Sequence, residues 1–270
     1  MPSVRHPVLV LAVAASLAAA LPARATTTLF LNRNGGTYTP GPDDARINTS
    51  SVVSSTTTIP AFDCGTPAWN EVVACVTGLF SPFDVQVIDA DPLAAPHVEL
   101  VVGGLPAAVG LPSGVAGVAP FSCAVIPNAV GFVFSAELGC ASPKAICWAV
   151  AQQAGATFGL DHAYLCQDPM SYLSGCGDKS FQDAAAPCGE FSARACTCGG
   201  TTQNSYRTLL TVLGPRPLPA SGGGGCGTAP GAPGGGSVVL VLLALLFART
   251  RREAMVRAPA PGSGRRRRLR

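Results

Sequence analysis

The residue types that could do chemistry in this chain gather between Gln152 and Tyr172. Gln152, Gln153 and Ala156 precede Gly159, Asp161 and His162, and then comes Asp168-Pro169-Met170-Ser171-Tyr172. A catalytic zinc takes three protein ligands and leaves a position for water. His162 is the imidazole here that could serve, with a carboxylate such as Asp161 beside it. Gln152 carries a neutral amide, a poor ligand, and Ala156 has no donor atom. Gln153 cannot accept a proton from metal-bound water as a carboxylate would. The chain has three histidines, His6, His97 and His162, and His6 lies in an N-terminal leader, so a three-histidine site cannot form in the processed chain. Simpler roles also suit these residues: a hydrogen bond at a helix exit for His162, core filling for Met170, a buried or cleft-facing ring for Tyr172 and a surface position for His97. The pairs Asp89 and Asp91, or Asp43 and Asp44, offer carboxylates to a structural calcium. The folded part contains no serine nucleophile elbow, phosphate-binding loop or CxxC redox motif.

Regular elements must hold these residues in place. Ser142-Pro143 is an N-cap followed by proline at the first helical position, and Ile146, Cys147, Val150, Ala151, Ala154 and Phe158 share one helical face until Gly159 ends it. An earlier helix has its cap at Thr66, with a stripe of Trp69, Val72, Val73, Val76, Leu79 and Phe80. Strands are predicted over residues 27–32, 83–89, 97–103 and 129–135, the last three in one sheet, and residues 32–51 read as a long polar loop. A last helix over 204–213 buries Leu209, Leu210 and Leu213. This order predicts an α+β or α/β layer on a twisted sheet.

The spacing of the chemical residues resembles that of matrixin-like metzincin proteases. Their pattern H-E-x-x-H-x-x-G-x-x-H lies on this chain without a gap when its Gly is Gly159 and its last His is His162. Its first three functional positions then fall on Gln152, Gln153 and Ala156, and Asp168–Tyr172, with Met170 and Tyr172, matches the Met-turn. The resemblance is close over 143–172 and loose over 26–214. It implies a metzincin-like α+β fold: a twisted mixed sheet, an active-site-type helix below it, and a cleft that takes extended peptides along an edge strand. Of the zinc ligands it implies, His162 alone survives, and the base position is Gln153.

The two ends read as addresses. Residues 1–25 have the charged, apolar, small-x-small order of a signal peptide. A Gly/Pro-rich linker (215–236), an apolar segment (237–248) and an arginine-rich tail (249–270) follow the domain (26–214), as in a membrane anchor with a cytoplasmic C-terminus. Gly225-Cys226, the short apolar segment and the arginine cluster resemble the myxobacterial sorting signal MYXO-CTERM, which implies processing near Cys226 and attachment at the cell surface. The full chain carries +3, yet the part between leader and tail has seven basic against fourteen acidic residues. A charge of −7 with no basic stripe excludes nucleic acid as a partner.

Ten of the eleven cysteines, Cys64, Cys75, Cys123, Cys140, Cys147, Cys166, Cys176, Cys188, Cys196 and Cys198, lie in the domain. In an exported chain they read as a disulfide framework. Proximity suggests Cys64 with Cys75, Cys123 with Cys140 and Cys166 with Cys176, although spacing does not fix connectivity.

The expected function is a surface-displayed, disulfide-rich pseudoprotease without catalysis or cofactor, binding an extended peptide or a surface protein by strand addition. One alternative is an active zinc metalloendopeptidase with an unorthodox site at His162. Another is a purely structural surface protein.

Overall fold

The computed structural model describes residues 25–218. Its first strand, β1 (Thr27–Asn32), alternates sides so that Leu29 and Leu31 face one way and Phe30 and Asn32 the other. Then come β2 (Gly36–Pro40), β3 (Thr49–Ser50), β4 (Thr57–Ile59), the long helix α1 (Gly65–Phe80), β5 (Val85–Ile88), β6 (Val98–Val102), β7 (Gly117–Val118) and β8 (Val130–Val133). A one-turn helix, α2 (Ser135–Leu138), leads into α3 (Pro143–Thr157), and α4 (Ser205–Leu213) closes the order. The fold is α+β with a mixed main sheet.

That sheet runs β5-β1-β6-β8-β7. Its first four strands are parallel, with Phe30 opposite Glu99 and Glu99 opposite Val130, and β7 pairs antiparallel with β8 at the edge. Strands covered on both faces have no solvated side to favour polar residues, and β6 and β8 are buried along their whole length. α1 and α3 cover one face with Trp69, Val72, Val76 and Phe80 from the first and Ile146, Val150 and Ala154 from the second. A smaller sheet, β3-β2-β4, covers the other face, where Tyr38 and Ile59 meet Val101, Val130 and Phe132. After α4 the chain still belongs to the fold, because Arg216 N–H donates to Pro82 O.

Three details differ from expectation. The polar stretch 32–51 holds β2, β3 and a 3₁₀ turn at Ala45–Ile47, because Tyr38 gives an otherwise polar segment one wholly buried anchor. Thr66 does not cap α1. The helix begins at Gly65, and its cap position is Cys64, which is fixed by a disulfide and makes no side-chain capping bond. Edge strand β7 has two residues and gives no alternating pattern to read.

All ten domain cysteines are paired: Cys64–Cys140, Cys75–Cys147, Cys123–Cys198, Cys166–Cys176 and Cys188–Cys196. The local pair Cys166–Cys176 is as expected, but Cys64–Cys75 and Cys123–Cys140 are not formed. Eleven residues of helix would separate Cys64 and Cys75 by about 16 Å, beyond disulfide reach. Packing of α1 on α3 instead brings the Cα atoms of Cys75 and Cys147 to 6.0 Å.

Candidate functional site

α3 begins as its sequence dictates, with Ser142 Oγ accepting from Ala145 N–H and Pro143 in the first turn. It ends where Gly159 takes φ +91°, a turn for which glycine is suited. The chain then doubles back, so that Ala163 N–H donates to Met170 O. Met170 is fully buried under the helix; a Cβ on Gly155 would stand 2.5 Å from its Sδ. Asp168 organises this turn: Oδ1 accepts from Met170 N–H and Oδ2 from Gln182 N–H. Burial pushes its carboxyl pKa up, against these bonds.

Four of the five aligned positions, Gln152, Gln153, Ala156 and His162, line two neighbouring cavities that share Gly117 of β7 and Tyr172. The smaller, about 310 Å³, is lined by Gln153, Ala156 and His162, with Glu190 and Arg194 opposite them. The larger, about 550 Å³, is walled by Trp148, Gln152, Leu173 and Phe191. Gln152 and Gln153 are both buried, and the nearest polar contact between them is Gln153 Nε2 donating to Gln152 Oε1 at 3.4 Å. A Cβ on Gly117 would stand 2.9 Å from Gln153 Cγ, so this side chain lies tight beneath the edge strand.

His162 sits in a network that the residues around it do not announce. Its Nδ1 lies 2.8 Å from Glu190 Oε1, and that oxygen also accepts from Arg194 Nη2 at 2.7 Å. The same guanidinium spans both oxygens of Asp161, at 2.7 and 2.8 Å. Asp161, 5% exposed, also accepts from the backbone N–H groups of His162 and Thr197. Gln203 clamps the backbone of Asp161 from both sides. Burial opposes ionisation of Asp161, yet Arg194 and Thr197 hold its carboxyl well below the usual range. Arg194 and then His162 push Glu190 down to about 2.

Zinc, which the sequence pattern implies, does not fit this arrangement. Asp161, His162 and Glu190 do form a cluster with ligand-type atoms within 4.8 Å of one another. The cation their charge calls for is already there: Arg194 occupies both carboxylates, and four hydrogen bonds saturate Asp161. Gln152 and Ala156 add no imidazole. Of the aspartate pairs considered for calcium, Asp43 accepts from Ser51 and Asp44 holds Arg46, while Asp89 accepts from Trp69 Nε1 and Asp91 from Leu93 N–H with one oxygen each.

His97 departs from the expected surface position, and Tyr172 takes the cleft-facing of its two readings. Tyr172 is 46% exposed, its ring tilted 54° to the His162 ring at 4.6 Å and edge-on to Phe191, itself 80% exposed. His97 is buried, its ring held between Phe30 and the carbonyl of Ala95. Glu190, Phe191 and Arg194 were not singled out from sequence. Their signal was present, since Cys188 and Cys196 bracket a Glu and an Arg four apart, and Arg194 is one of few cations in the domain.

Gly225, Cys226, the leader, the apolar segment 237–248 and the arginine tail lie outside the described residues. Among the described residues, no helix is long and apolar enough to cross a membrane. No known protein-family profile matches this chain, and no curated protein sequence does.

Proposed function

We propose that this protein is a non-catalytic, metzincin-like domain, displayed at the cell surface, that binds an extended peptide. Placement of Arg194 carries the reading: the guanidinium lies against the acids beside the last ligand-type histidine, where a hydrolytic site would need a metal and an activated water. Without those, the groove between β7 and α3 remains as a binding surface. Edge strand β7 offers backbone groups for strand addition, and the adjoining cavity of about 550 Å³ offers an apolar seat for one large side chain. Exposed Phe191 and Tyr172 at its mouth are the residue types that dominate binding energy in such surfaces. Five disulfides suit an oxidising environment outside the cytoplasm, consistent with a leader and a C-terminal anchor of the sorting-signal kind.

Two measurements on the full chain test this. Elemental analysis should find no stoichiometric zinc, and a random peptide library should be captured but not cleaved. Selected peptides should share one bulky apolar residue and lose at least about tenfold in affinity on Trp148→Ala or Phe191→Ala, the scale of a hot-spot truncation. Phe191 is so exposed that its loss cannot act by unfolding the domain. One zinc per chain with peptide cleavage would replace the proposal with an enzyme, and no peptide captured above the variants would end the binding role.

A further inference from the structure

On the sheet face away from α1 and α3, a second polar site is built around Glu99. This side chain is 2% exposed. Its Oε1 accepts from Asn32 Nδ2 at 2.7 Å and from Tyr38 OH at 2.8 Å, whereas its Oε2 is buried without a hydrogen-bond partner among the described residues. A buried carboxylate oxygen without a donor is costly, and native structures leave few such atoms. Glu99 lies in the wall of an open cavity of about 350 Å³.

The remaining wall shows what is missing. Asp91 uses Oδ1 to hold Leu93 N–H, which leaves Oδ2 for a ligand. His97 donates from Nδ1 to Ala95 O, which leaves Nε2 as the ring atom without a partner among the described residues. Asn48 adds a side-chain amide that makes no hydrogen bond among the described residues. The one cation of the wall, Arg46, is committed to Asp44 through two bonds of 2.8 and 2.7 Å. Burial pushes the Glu99 carboxyl pKa up, so a positively charged donor at Oε2, with Asp91 Oδ2 beside it in the wall, is the group that would hold it ionised. Size and lining choose between a bare ion and a molecule. A water occupies about 30 Å³, so this cavity has room for roughly ten. Part of its wall is apolar, formed by the Phe30 ring and by Leu93, which is 72% exposed and held at φ +55°.

We propose that this cavity binds a small organic amine, its primary ammonium group donating to Glu99 Oε2 and Asp91 and its carbon chain lying against Phe30 and Leu93. Ammonium has three donors and no acceptor, the complement of this wall. Because the cavity lies across the sheet from α3, the proposal is independent of peptide binding.

Calorimetric titration of the full chain, disulfides intact, with n-butylamine, cadaverine, n-butanol and calcium chloride tests it. At least one of the two amines should saturate a single site. Butanol, the neutral counterpart of butylamine, should bind at least about tenfold more weakly, as expected for loss of a charged hydrogen bond. Glu99→Gln and Asp91→Asn should each weaken the amine by a similar factor. Asp91 is exposed, so its variant reports on binding even where Glu99→Gln disturbs the fold. Failure of both amines to saturate, equal binding of butanol, an amine affinity unmoved by Asp91→Asn, or saturation by calcium alone overturns the proposal.

Discussion

Two carboxylates and an imidazole packed together need a positive charge among them, and Arg194 supplies it from a loop remote in sequence. Removing one partner of a buried ion pair leaves the other uncompensated, so Arg194→Ala should destabilise the domain by about 3 kcal/mol, the lower end for such sites because the guanidinium is partly exposed. Arg194→Lys should recover little, since one ammonium cannot span Asp161 and Glu190 together. The effect has a defined pH dependence. Both acids titrate lower in the fold than in the unfolded chain, so their stabilisation is complete above the ordinary carboxyl range and disappears as pH falls through it to about 2, where Glu190 takes its proton. The difference between wild type and Arg194→Ala in urea unfolding should therefore be largest near neutrality and shrink from roughly pH 4 downward. At this scale the sequence was informative where chemistry follows from residue type, since Gln152, Gln153 and Ala156 offer neither imidazole nor carboxylate wherever they fold. It was silent about the network at His162, because Glu190 meets that ring only after the chain has folded back across 28 residues.

Among the elements, α3 and the turn beneath it depend on a close approach at Gly155. Gly155→Ala should gain about 1 kcal/mol in helix propensity and lose about 1–3 kcal/mol by overpacking against Met170, a net destabilisation. Shortening the obstacle with Met170→Ala should make the two substitutions non-additive in a double-mutant cycle, whereas independent sites would simply sum. Long elements with a burial stripe were legible: the apolar face of α3 and its cap at Ser142 needed only periodicity and capping rules. The small sheet was not, for its strands have two to five residues, and a single buried Tyr38 carries much of its anchorage. Capping of α1 was misread because a disulfide at Cys64, rather than a side-chain hydrogen bond, fixes where that helix starts.

Over the whole molecule, the cross-links fall into two kinds. Cys64–Cys140, Cys75–Cys147 and Cys123–Cys198 each join residues more than seventy apart, whereas Cys166–Cys176 and Cys188–Cys196 close short loops. Loop-closure entropy assigns about 4.5 kcal/mol to each long bond and about 2.5 kcal/mol to the eight-residue one. The double variant Cys75→Ala with Cys147→Ala should thus lose more stability in urea than Cys188→Ala with Cys196→Ala, although the latter lies nearer the candidate site. The even number of domain cysteines told that a framework exists, but its wiring follows from α1 lying on α3, which only the folded chain reveals. The wiring also orders events in time. A chain delivered N-terminus first has Cys64 and Cys75 waiting as thiols while the next cysteine to appear, Cys123, is a wrong partner for both. Neither native bond at α1 can close until Cys140, for Cys64, and then Cys147 of α3, for Cys75, have emerged, so whatever oxidises this protein must tolerate a long-lived, half-made chain or be able to undo its first mistake.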